Sequence, residues 1–139
     1  MKKLLLFTLL MLNALSTFAQ KTIDYTTYDI IAKASNVTVL VKDNDYRMVV
    51  GSLKKPKATF LLGYTKEQAS KRFESLLEIT SNNNYSKSER QIFFCGQSFH
   101  LAIKGSGDKE RYSFTKYGDN VKFELSKQDI LTFKESAAK

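Results

Sequence analysis

From residue 22 onward, short apolar runs alternate with turn residues, the pattern of antiparallel strands. Val37, Val39 and Val41 alternate with Thr38, Leu40 and Lys42 and predict a β-branched strand. Asp43-Asn44-Asp45 breaks it with turn-forming residues. Tyr46 to Ser52 is a second strand, Lys54-Lys55-Pro56 a second turn, and Ala58 to Tyr64 a third strand around Phe60, Leu61 and Leu62. Connections this short join antiparallel neighbours, so these strands form a meander. The preceding stretch, Thr22 to Ser35, is ambiguous. Ile23, Tyr25 and Thr27 alternate as in a strand, while Thr27 is also placed to cap a short helix carrying Ile30, Ile31 and Ala34. The alternation favours strand.

At Thr65 the period changes. Thr65-x-x-Gln68 is a capping-box pattern, and Ala69, Phe73, Leu76 and Leu77 recur at i, i+4, i+7 and i+8, one face of a helix ending near Thr80. Asn82-Asn83-Asn84 then reads as a loop. Arg90 to Cys95 and Ser98 to Lys104 predict a hairpin across Gly96-Gln97, with glycine first as a type II′ turn prefers. Phe99, Leu101 and Ile103 share one face of its second strand, and His100, Ala102 and Lys104 the other. Two further strands, Glu110 to Tyr117 and Val121 to Leu125, follow glycine-containing turns. Ser126 and Asp129 then resemble an N-cap and its partner for a short terminal helix with Ile130, Leu131 and Phe133, fraying from Ser136. The chain has no internal repeat and no proline- or serine-rich linker. The pattern therefore predicts an α+β fold: an antiparallel sheet of about six to seven strands in two meanders, an amphipathic helix between them and a short C-terminal helix. It does not choose between an open sheet and a partial barrel.

The first 19 residues have a different character. Lys2 and Lys3 precede an apolar run from Leu4 to Leu12, and Thr17-Phe18-Ala19 places small residues where a signal peptidase reads. Leu4 to Ala19 spans 16 residues and contains Asn13, Ser16 and Thr17. That is short and polar for a membrane span, which needs about 20 apolar residues. The expectation is a secretory signal peptide, 1–19, cleaved near Ala19-Gln20, and one exported α+β domain, 20–139, without a transmembrane segment. The destination is periplasmic or extracellular.

Export sharpens two features of composition. Cys95 is the one cysteine, so no internal disulfide can form, and a thiol following Ile92, Phe93 and Phe94 is expected to be buried. The net charge of +8 falls to +6 once Lys2 and Lys3 are removed. A positive exported chain is drawn to anionic surfaces or acidic proteins. The densest basic cluster is Lys54, Lys55 and Lys57, the candidate anion-binding residues, on a hairpin tip. Tyr112 and Tyr117 near Arg111 and Lys116, or Tyr85 near Lys87, would supply stacking faces if exposed. Nucleic acid is not the favoured partner.

Catalytic and metal chemistry find little support. His100 is the one histidine, so acid–base or nucleophilic catalysis near neutral pH would run through it, with a carboxylate or Cys95. In the Gly96-Gln97 register Cys95 and His100 sit diagonally across the hairpin. One cysteine and one histidine cannot fill a usual zinc set. Read as a calcium loop from Asp43, the sequence has Met48 where glycine is needed and Lys54 where glutamate is needed. Glu74 and Glu78 lie on one helix face rather than across a cleft, and Gly105-Ser106-Gly107 precedes a strand rather than a helix. Asn36-Val37-Thr38 and Asn84-Tyr85-Ser86 match the glycosylation pattern. No catalytic residue, metal site or cofactor is assigned. The sequence favours a small exported, non-enzymatic binding module for a protein or anionic surface ligand. The alternative is a small hydrolase or nuclease relying on His100.

Overall fold

The computed structural model describes residues 22–81, 89–105 and 109–139; the signal segment, Tyr85, Lys87 and the second glycosylation pattern lie outside them. Within these residues a single 3₁₀ turn, Tyr25–Thr27, precedes four strands: β1 (Asp29–Ala34), β2 (Val37–Lys42), β3 (Asp45–Gly51) and β4 (Pro56–Gly63). Helix α1 (Lys66–Ser81) follows, then β5 (Arg90–Phe94), β6 (Gln97–Lys104), β7 (Arg111–Lys116), β8 (Lys122–Ser126) and helix α2 (Lys127–Ala138). The strands form two antiparallel four-stranded sheets, β1-β2-β3-β4 and β5-β6-β7-β8. The α+β class and the two meanders agree with the sequence pattern. Two points correct it: the described strands number eight, and each meander is its own sheet. The stretch 22–35, read as favouring a strand, does hold one, β1, but Tyr25 and Thr27, whose alternation suggested it, lie in the 3₁₀ turn before it. The order of four strands then a helix occurs twice, a duplication of architecture without a repeat in sequence.

Two of the three hairpin turns in the first sheet follow directly from their residues. Asp43 and Asn44 take φ of 49° and 64°, the left-handed pair of a type I′ turn, which short polar side chains tolerate. Pro56 opens β4, an edge strand whose first residue can lack an N–H at no cost to the ladder. At the β5–β6 hairpin the structure departs from the sequence reading. Phe94 pairs with Gln97 and Ile92 with Phe99, so the two-residue loop is Cys95-Gly96, with φ of 52° and 72°. Moving such a loop by one position shifts the partners by two and leaves every residue on the same face. Hydrophobic alternation therefore cannot distinguish the two registers.

One apolar core takes side chains from both sheets and both helices. Phe99 of β6 is fully buried near its centre. Its ring lies 5.5 Å from Phe60 of the first sheet and 5.8 Å and 6.3 Å from Phe123 and Phe114 of its own, the latter two edge-on. Phe73 of α1 and Phe133 of α2 meet at 5.5 Å, which packs the helices against each other. The capping signals operate with one variation. Ser126 Oγ accepts from Asp129 N at 3.0 Å and Asp129 returns the bond to Ser126 N at 2.8 Å, a complete box. Thr65 Oγ1 accepts from Gln68 N at 3.1 Å, but the Gln68 side chain accepts from Tyr64 N rather than Thr65 N, at 2.8 Å. Helix α2 does not fray at Ser136: Ala137 is buried and the Lys66 ammonium donates to the Lys139 carbonyl.

The β4–α1 junction is tight. A Cβ at Gly63 would lie 2.5 Å from the Gln68 Cβ, too close for any side chain to fit without backbone movement. Gly63→Ala should therefore destabilise the fold by about 1–3 kcal/mol, as overpacking does. Urea denaturation checks this, and a neutral result would mean that the junction yields freely.

Candidate functional site

The two sheets differ on their outer faces. On the first, Thr38, Leu40 and Val49 are buried. The 3₁₀ turn supplies the cover: Tyr25 packs on Leu40 and Val49, with Tyr28 and Leu53 beside them. A polar clamp fastens this cover. Tyr28 Oη donates to Asp45 at 2.6 Å, Arg47 pairs with the other Asp45 oxygen at 2.7 Å, and Lys42 donates to Thr27 Oγ1 at 2.9 Å. Partial burial and the bond to Asp45 push the Tyr28 phenol up to about 12. Asp45 is thus committed to a tyrosine and an arginine. No group of three or more metal-ligating side chains exists among the described residues.

The hairpin between β3 and β4 carries Lys54, Lys55 and Lys57, all exposed. Ser52 Oγ accepts from Lys55 N at 3.0 Å and braces the turn. Among the described residues none of the three ammonium groups has an ion-pair or hydrogen-bond partner. An open groove of about 600 Å³ runs between this hairpin and residues 22–25. Lys54 and Lys57 line it, together with Leu53 and Pro56; Lys55 does not. The opposite wall contributes Asp24. Its carboxylate accepts from the Thr26 hydroxyl at 2.6 Å and the Thr26 N–H at 3.1 Å, and these bonds hold its pKa below the usual carboxylate range. The groove and hairpin thus bring together three uncommitted ammonium groups and one locally bonded carboxylate. Such a set can hold an anion by point charge but has no fork for bidentate recognition.

Among the described residues the outer face of the second sheet has no buried side chain. Gln91, Phe93, Ser98, His100, Ala102, Ser113 and Thr115 are half-buried or exposed, and Phe93 is 68% exposed. His100 Nε2 lies 3.5 Å from a Glu89 carboxylate oxygen on this face, opposite Gln91 and Thr115. No hydroxyl is hydrogen-bonded to His100 among the described residues. Cys95 is on the other side. It packs against the core, where burial pushes its thiol up to about 12 although Arg72 nearby opposes this. A Cys95–His100 dyad is therefore absent, and the thiol, half-buried rather than buried as the sequence suggested, is not activated. The proposed aromatic partners of Arg111 and Lys116 also divide. Tyr112 is fully buried, its hydroxyl 3.0 Å from Glu110, while Tyr117 is half exposed. Lys116 is already paired with Asp119 at 2.7 Å. Asn36 of the first glycosylation pattern uses its side chain to reach the Lys122 carbonyl, and its Thr38 is buried.

A third surface was not apparent from the sequence. Beside the C-terminal half of β4, an open groove of about 370 Å³ separates the strand from α1. Leu61 and Tyr64 stand on the strand side, and Lys71, Arg72 and Ser75 on the helix side. Its strand side came from the run Phe60-Leu61-Leu62, in which Leu61 alone points away from the core. Its helix side came from the face opposite Ala69 and Phe73.

The fold and these surfaces define an α+β protein with two antiparallel sheets and no helix, among the described residues, long and apolar enough to cross a membrane. No family model and no curated protein matches the chain.

Proposed function

We propose that the protein is an exported binding module that holds an anionic ligand at the Lys54–Lys57 hairpin. The observation that carries this reading is the set of three exposed ammonium groups with no partner among the described residues, two of them lining a groove. Binding there releases no existing ion pair, so all of the electrostatic attraction is available to the ligand. The signal-like first 19 residues support an extracytoplasmic setting, where acidic polysaccharides and lipid headgroups offer such charges. The purified protein should be retained on immobilised heparin at low salt. Changing Lys54, Lys55 and Lys57 to Gln should lower the slope of log retention against log salt by about one per lysine. Changing Lys104, Lys109 and Lys127, exposed elsewhere, should do less. Equal losses from both triple variants would leave only general charge and sink the specific site.

A second reading rests on Phe93. A ring 68% exposed beside Gln91, Ser98 and His100 would offer a protein partner an aromatic anchor. Capture of a partner that Phe93→Ser abolishes and the lysine variant leaves intact would favour it. Turnover of an ester, peptide or nucleic acid substrate that His100→Ala abolishes would instead favour the hydrolytic alternative, with Glu89 as the carboxylate at hand.

A further inference from the structure

We infer that the groove between the free edge of β4 and helix α1 receives a short extended segment of an acidic partner protein, added to the first sheet as a fifth strand. β4 pairs with β3 alone, so the backbone groups on its other edge are not used by a strand among the described residues. An unprotected edge is a template for strand addition. The first half of β4 is guarded by Pro56 and Lys57, but the second half, Thr59 to Gly63, has neither charge nor proline. That unguarded half is the half that borders the groove.

The helix wall fits an extended strand in length and charge. Gln68, Lys71, Arg72 and Ser75 fall at i, i+3, i+4 and i+7, so they form one stripe about 10 Å long. That length matches about three residues of extended chain. Lys71 and Arg72 are exposed, and among the described residues neither has an ion-pair partner. Among the described residues no aspartate or glutamate lines the groove. A carboxylate on the incoming strand would meet both cations, and Arg72 presents the planar fork that suits it. On the strand side Tyr64, 59% exposed, and the half-buried Leu61 offer apolar contact to the alternate side chains. The occupant is therefore an extended segment that alternates acidic and apolar residues. This surface shares no residue with the Lys54 hairpin, so it stands whether or not the hairpin binds an anion.

The probe is an acetylated, amidated hexapeptide of alternating glutamate and valine, titrated into the purified protein and followed by amide NMR shifts. Shifts should be confined to residues 59–64 and 68–75. Lys71→Glu with Arg72→Glu should weaken binding by at least about tenfold, and the milder Lys71→Gln with Arg72→Gln should weaken it less. Circular dichroism checks that both variants remain folded. Leu61→Lys, which charges the edge, should also weaken binding, whereas Gln at 54, 55 and 57 should leave it unchanged. A lysine–valine peptide should not bind. Three results would overturn the inference: no shift at millimolar peptide, equal binding of the cationic peptide, or shifts centred elsewhere. A dimer that Leu61→Lys dissociates would also overturn it, by giving the edge to a second copy of the chain.

Discussion

Phe99→Ala should remove about 3–5 kcal/mol of stability, while Phe93→Ala, six residues away on the partner strand, should change it by no more than about 0.5 kcal/mol. The chemistry of the two substitutions is identical; the environments are opposite. Phe99 is fully buried and Phe93 is 68% exposed. Phe99 touches aromatic rings in both sheets, Phe60 in the first and Phe94, Phe114 and Phe123 in the second, at 5.5–6.5 Å. A domain is stable by only about 5–15 kcal/mol, so this loss is a large share of the whole. Urea denaturation gives the test, followed by far-UV circular dichroism and by tyrosine fluorescence, since the chain contains no tryptophan. With an m-value of about 1–3 kcal/mol/M, the midpoint should fall by more than about 1 M. Because the ring joins the sheets, both probes should still report one transition. Two separate transitions, with only one displaced, would mean that the sheets unfold independently and that the Phe60–Phe99 contact does not couple them.

The sequence made some of this core visible and hid other parts for definite reasons. Phe99, Leu101 and the Phe73 face were legible because one side of each element is apolar and the other polar. The doubly buried centre of the first sheet was less so. Val37-Thr38-Val39-Leu40 is buried throughout, and such a run carries its signal in the failure of alternation, at Leu40 and Val49, rather than in alternation itself. What covers that second face, Tyr25 on a 3₁₀ turn, could not be read from a stretch whose own pattern fitted strand and helix alike. The separation into two sheets was hidden for a different reason. Local pattern determines which residues form strands, whereas partners across the α1 connection depend on how the edges pack. At the candidate sites, the lysine hairpin was legible because turn and charge coincide in sequence. The β4–α1 groove was not, since it is made by residues of two elements that only the close approach at Gly63 brings together.

The partial burial of Cys95 depends on a turn that the sequence placed one residue away. In the left-handed first position of the β5–β6 turn its side chain packs against the core, and its pKa rises from 9.0 to about 12, chiefly by burial. The folded state thus holds the thiol proton more tightly than the unfolded chain does. The resulting stability is fully present below pH 9.0 and is lost as pH rises through the folded value near 12. The loss should approach about 1.4 kcal/mol per pH unit within that window. Cys95→Ala removes the titration, so the gap between wild type and variant should narrow as pH climbs from 9 to 11, whatever packing the variant loses at neutral pH. Tyr28, whose pKa is raised to about 12 by partial burial and Asp45, acts in the same direction in both proteins and cancels in the comparison. Reaction with a disulfide reagent at pH 8 supplies an independent reading. The native thiol should react far more slowly than the same thiol in urea, because thiolate and access are both scarce. A native rate equal to the unfolded one would place Cys95 at the surface and undo the pH prediction with it. For a chain proposed to leave the cytoplasm, slow exchange has a further consequence: its one cysteine is withheld from intermolecular pairing by the same packing that holds the β5–β6 turn in place.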